Sequence, residues 1–126
     1  MQDASAGPKS GEGVWLWLAK ILTGGLIIFI LIIHFIVNHL VAEGGLLSWA
    51  DVVQYYTNPI IPIMEIIFLI FVVSHALMGL RSVILDLKPS KTVLKGIDGL
   101  FIIIGIGAVI YGTWLIFAIM AQGTGI

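Results

Sequence analysis

Three stretches of this chain are too long and too apolar to fold as anything but membrane-spanning helices. They run from about Val14 to Val41, from about Ile60 to Leu87, and from about Val93 to Ala121. At 1.5 Å rise per residue, a helix over any of them exceeds the roughly 30 Å thickness of bilayer hydrocarbon. Backbone in hydrocarbon must satisfy its own hydrogen bonds, and an α-helix does so within one segment. The whole chain has 126 residues, is 60% hydrophobic and has a mean hydropathy of +1.14. No soluble domain of this size hides so much apolar surface. The expected fold is therefore all-α: an integral membrane protein with three transmembrane helices. Residues 14–126 form a single unit behind a polar, flexible tail at 1–13.

Charge orients the spans. All six basic residues fall on one side: Lys9 and Lys20 near the start of the first span, and Arg81, Lys88, Lys91 and Lys95 around the second connection. The other loop, 42–58, carries Glu43 and Asp51 and no Lys or Arg. The positive-inside rule then predicts a cytoplasmic N-terminus and an external C-terminus. The first apolar run is too long for a cleaved signal and reads as a retained span, and Asp3 and Glu12 argue against a transit peptide. A net charge of −1 gives no reason to expect a nucleic-acid partner. The absence of cysteine excludes disulfides, thiol catalysis, iron–sulfur ligation and covalent haem attachment by this chain. Any redox centre here must be held by His or Met, or sit in another subunit.

The outer loop predicts a short interfacial helix. Ser48 is placed to cap it, with Asp51 three residues on; Asn58-Pro59 ends it, and Pro62 falls in the first turns of span two. Trp49, Tyr55 and Tyr56 suit one interface, and Trp15 and Trp17 the other. Plain anchoring is the first reading of these aromatics, with quinone contact as the alternative. In the third span Gly105, Ala108 and Gly112 form one small-residue stripe, which suits close helix packing or, alternatively, a flat cofactor.

The chemistry rests on three histidines. An imidazole in lipid is costly and usually marks a proton path, a ligand site or a metal. On a 100°-per-residue wheel His75 shares one face with Gly79, Ser82 and Asp86. Gly79, one turn away, leaves room for a planar ligand, and Asp86 reaches the inner interface. Arg81 lies on another face, near enough to the inside to snorkel or to meet an anionic group. A packed, hydrogen-bonded histidine is the plain alternative for His75.

Depth separates the three. His75 stands about 15 Å above the inner end of its span and His34 about 24 Å above the inner end of span one, with His39 higher still. Two imidazoles on one metal need nearly equal depth, so His34 and His75 belong to two sites, each completed by another chain. His34 and His39, five residues apart, lie about 140° apart on an α-helical wheel. His34, the deeper, is preferred as the ligand. His39 is left for a propionate, a quinone or water, and Asn38 is a hydrogen-bond neighbour for His34. Glu65, near the outer end of span two, is either a carboxyl reaching the interface or a proton-handling group.

The run His75-x-x-x-Gly79-x-Arg81-x-x-x-x-Asp86 resembles the second span of the membrane-anchor subunits of succinate dehydrogenases and fumarate reductases, the small three-span proteins of respiratory complex II. The histidines of span one resemble the two-haem type. Leu87 stands where smaller anchor subunits carry a quinone-contacting Tyr, and the Ser/Arg motif of the larger subunit's first span has no counterpart. The resemblance implies haem b, one or two, with His75 and His34 as axial ligands. Under it His39, Gly79, Arg81 and Ser82 lie about the cofactor, and Asp86 and Glu65 handle quinone or its protons. The quinone would be menaquinone or ubiquinone. It also implies a second anchor subunit, an iron–sulfur subunit and a flavoprotein as partners, and a multi-pass place in a prokaryotic cell membrane. The chain would carry electrons but no dicarboxylate chemistry. Two other classes stand beside this: a structural accessory subunit of a respiratory complex, and a small proton-coupled transporter. The transporter class usually shows repeats or broken spans, and neither is seen.

Overall fold

The computed structural model describes residues 13–41, 44 and 47–125. The N-terminal tail, Lys9, Glu43 and the side chain of Asn38, all invoked above, lie outside the described residues. The four helices are α1 (Val14–Phe35), α2 (Trp49–Tyr55), α3 (Ile60–Asp86) and α4 (Lys91–Thr124), and there is no strand among the described residues. A π-helical stretch, Ile36–Val41, continues α1. Three helical stretches, Val14–Val41, Ile60–Asp86 and Lys91–Thr124, are long and apolar enough to cross a membrane. The all-α fold with three spans is as expected. At 34 residues α4 is about 51 Å long, so it tilts or projects beyond the hydrocarbon.

The helix ends follow from local chemistry. Ser48 caps α2 in a reciprocal box: its hydroxyl accepts from the Asp51 amide at 3.3 Å, while Asp51 accepts from the Ser48 amide at 2.8 Å. Hydrogen bonds from the Ser48 hydroxyl and amide hold the Asp51 carboxyl below its ordinary range. The cap's contribution is therefore full above the ordinary Asp value and is lost as pH falls through the lowered one. Asn58 accepts from the Ile60 amide at 3.1 Å where α3 begins. Lys88 adopts φ 52°, which turns the chain sharply after α3, and Ser90 then caps α4 by accepting from the Val93 amide.

α3 is the central helix, packed against α1 on one side and α4 on the other, and α2 folds over the far end of α4. The two seams differ in chemistry. The α3–α4 seam is apolar: Leu77 and Leu69 lie where a Cβ on Gly105 or Gly112 would stand, at 2.9 and 2.5 Å. The small-residue stripe is thus used for helix packing. The seam ends in an ion pair in which Arg81 forks onto Asp98, Nε to Oδ1 at 2.7 Å and Nη2 to Oδ2 at 3.1 Å. Arg81 does meet an anionic group, and that group is on this chain.

Both partners of the pair are partly exposed, at 22% and 36% for Arg81 and Asp98. Solvent weakens the pair, but its forked geometry favours a real contribution of about 1 kcal/mol. Asp98→Asn is therefore expected to lower the melting temperature of the purified assembly, and Arg81→Leu/Asp98→Leu to restore most of the loss. A double variant as unstable as the single would show that the charges matter for something other than each other.

Little of this chain is buried by its own fold. Ile61, Pro62 and Ile116 are buried, whereas no described residue of α1 is. The apolar exterior suits lipid or other membrane subunits.

Candidate functional site

The α1–α3 seam is polar, and its groups stand at separate levels. Thr23 and Gly24 of α1 meet His75 of α3. The Thr23 hydroxyl donates to the Ala19 carbonyl at 2.7 Å, so its oxygen is available to accept from His75 Nδ1 at 3.1 Å. The Lys20 carbonyl, which can only accept, lies 3.2 Å from the same nitrogen. These partners assign the ring proton to Nδ1. They leave the Nε2 lone pair without a hydrogen-bond partner among the described residues. A Cβ on Gly24 would stand 3.1 Å from His75 Cε1, so the missing side chain lets the ring lie against the α1 backbone. At Gly79 a Cβ would meet nothing within 4 Å, so space is open one turn from the imidazole.

Towards the basic end, Lys20 Nζ donates to Ser82 Oγ at 2.6 Å, and Ser82 in turn donates to the Met78 carbonyl at 3.1 Å. Lys20 thus joins α1 to α3 twice, through its carbonyl at His75 and its ammonium at Ser82. Asp86 is exposed at the last turn of α3, with no partner among the described residues.

The second level is formed by His34 and Glu65, with His34 Nδ1 4.0 Å from Glu65 Oε1. Their side chains are 44% and 19% exposed, so the carboxylate is the more enclosed partner. Glu65 lines a cavity of about 340 Å³ with Tyr56, Phe68, Leu69, Leu115 and Ile116. Burial, and then the charge of Glu65, push the Tyr56 phenol up to about 12; the same causes raise Tyr55. Both phenols therefore stay neutral and able to donate.

Glu65 and His75 are ten residues apart on α3, so the two levels differ by about 15 Å. That exceeds the 9 Å or so expected from counting along separate spans. The His39 ring lies 5.1 Å from that of Phe35, tilted by 43°, and the residue belongs to the π-helical stretch. An i→i+5 turn winds fewer degrees per residue than an α-turn, so the separation of His34 and His39 is narrower than the α-helical 140°.

Lys20, Thr23, Gly24 and Asp98 were not among the expected site residues. The first two had a signal: Lys20, Thr23 and His34 fall within about 60° on the α1 wheel, a polar stripe in an apolar run. Among the described residues no three His, Asp or Glu cluster as a metal-ion site. Single imidazoles at separate levels are of the residue type that could ligate a haem iron.

Residues 6–114 match the model of the succinate dehydrogenase/fumarate reductase transmembrane subunit family. The chain is 30% identical over 103 residues to a succinate dehydrogenase hydrophobic membrane anchor subunit of Archaeoglobus fulgidus, covering 82% of this chain and 87% of that one. It is 28% identical over 78 residues to the succinate dehydrogenase 2 membrane subunit SdhC of Mycobacterium tuberculosis, covering 62% of this chain and 57% of that one. No solved structure matches.

Proposed function

The chain belongs to the succinate dehydrogenase/fumarate reductase transmembrane subunit family, and on that premise we propose that it is a haem b- and quinone-binding anchor. It would pair with a second anchor chain and dock an iron–sulfur subunit and a flavoprotein at its basic end. With the basic end cytoplasmic, as the positive-inside rule has it, electrons pass between those soluble subunits and membrane quinone in a prokaryotic cell membrane.

One observation carries this reading: the setting of His75. A metal-ligating histidine characteristically donates its second ring N–H to a carbonyl or similar acceptor, which fixes the tautomer and aims the other nitrogen. His75 does this towards Lys20 and Thr23, with a side-chain-free backbone on one side of the ring and open space one turn away. A b-type haem bound there would supply one-electron transfer through a low-dielectric span. This chain's part would be to give an axial nitrogen from His75 and to hold the ring. Gly79 would leave clearance. Lys20 and Ser82 would supply polar groups on the basic side, and Asp86 an exposed carboxylate for quinone or its proton. On the two-haem reading, His34 serves a second iron, with His39 beside it. A packing role for His75 accounts for Nδ1 and leaves Nε2 idle. A reduced-minus-oxidised spectrum of the purified complex tests the proposal: a low-spin b-type band supports it, and no haem at all ends it.

Glu65 would handle protons at the second level, where His34 and the neutral Tyr56 stand close by. Glu65→Gln keeps the shape and removes the exchangeable charge. Quinone-coupled turnover is expected to fall about 100-fold or more, the lower end of the scale of a general acid–base group. Haem content and the dye-linked activity of the soluble subunits should stay at the parent level. Unchanged quinone turnover would return Glu65 to a purely interfacial role.

A further inference from the structure

A cavity of about 770 Å³ lies between α3 and α4, with Leu16 of α1 at its edge and His75 outside its lining. Its wall is almost wholly apolar, with Ile70 and Leu77 from α3 and Phe101 and Val109 from α4. The Arg81–Asp98 pair stands at its basic end. From Arg81 to Ile70 is eleven residues, so the groove is about 17 Å long, close to the half-thickness of bilayer hydrocarbon. Counted from the basic end, that length would reach from the interface to about the midplane. A partner helix would need a seat across both leaflets, whereas a single acyl chain entering from one leaflet fits this length.

The charge beyond the groove points the same way. Lys91 and Lys95 are exposed and fall within about 60° of Asp98 on the α4 wheel. They extend the groove's own face past the ion pair to headgroup depth. Arg81, held by Asp98, sets a polar boundary beneath them, and long lysine side chains reach the phosphate layer from such positions. We infer that the α3–α4 groove is a site for an anionic glycerophospholipid, with one acyl chain along Leu77 and Val109 and its phosphate between Lys91 and Lys95. The site is separate from the His75 face, so it stands whether or not haem binds there.

The test uses the complete complex, reconstituted in bilayer nanodiscs of equal phosphatidylglycerol and phosphatidylcholine, re-extracted in detergent and assayed for retained lipid. Phosphatidylglycerol should be enriched among the retained molecules. Each lysine near the headgroup layer is worth about fivefold, so Lys91→Gln/Lys95→Gln should lower the preference about thirtyfold, to the bulk ratio at most. Both lysines also lie at the basic end where the soluble subunits would dock, so subunit stoichiometry is measured alongside, and a groove-filling variant decides the matter if assembly falls. Val109→Trp, which fills the groove and leaves the charges intact, should displace the same lipid. Enrichment that survives both variants overturns the proposal. So does a retained quinone in place of phospholipid, or a cross-link from Val109→Cys to a helix of the second anchor chain.

Discussion

In the purified complex, His75→Ala is expected to lose the reduced b-type band of the site that His75 serves, while subunit stoichiometry stays at the parent value. The contrast follows from the magnitudes. Removing the imidazole costs one or two interhelical hydrogen bonds, to Thr23 and Lys20. Such bonds in membrane helices are worth about 0.6 kcal/mol each, too little to dismantle α1–α3 packing. If His75 ligates haem as proposed, its removal would be all-or-none for the iron it holds. Thr23→Val gives a graded companion, since the Lys20 carbonyl still accepts from Nδ1. Changes of this outer kind typically cost about 10- to 100-fold in metal affinity, so haem should be retained but more easily lost to apomyoglobin. A His75→Ala complex with the full parental spectrum would reduce His75 to a packing histidine, and the haem-anchor reading would go with it.

How much of this was legible beforehand depended on whether a feature is local. The three spans were, because length and apolarity act segment by segment. The Ser48–Asp51 box was, because both partners sit in one turn. The shared face of His75, Gly79 and Ser82 was also readable, because a wheel needs only one helix. Contacts between helices were not. Lys20 and Ser82 are 62 residues apart, and Arg81 and Asp98 are 17 apart. A wheel gives the angle between residues on one helix and says nothing of which neighbour each face meets. Lys20 was assigned to the interface by its charge alone, although it shares a stripe with Thr23. The His34–His39 angle failed for another reason. It assumed α-helical winding where the backbone is π-helical, and nothing in Ile36–Val41 announces that change.

Gly112→Leu is expected to produce the largest loss of stability of any single substitution in α4. A Cβ there would stand 2.5 Å from Leu69 Cδ2 and 3.3 Å from Cδ1, inside contact distance of both methyls. For Ala the tip of Leu69 can rotate away. For Leu the added methyls fall where Leu69 already packs, and the helices must separate. Overpacking of this kind costs about 1–3 kcal/mol. No hydrophobic effect between lipid-immersed helices repairs it, since close van der Waals contact is what holds them. Thermal unfolding of the full complex reads the loss. Adding Leu69→Ala to Gly112→Leu should recover part of it, because the volume removed from α3 is returned from α4. A double-mutant cycle then gives a coupling energy of opposite sign to the single losses. Gly79→Ala supplies the contrast: its Cβ meets nothing of this chain within 4 Å, so no comparable loss of helix packing is expected. A haem signal altered by Gly79→Ala would mark that space as the cofactor's. If Gly112→Leu melts like the parent, the α3–α4 seam is looser than its geometry allows, and α4 must be held instead by α2 and the neighbouring subunit.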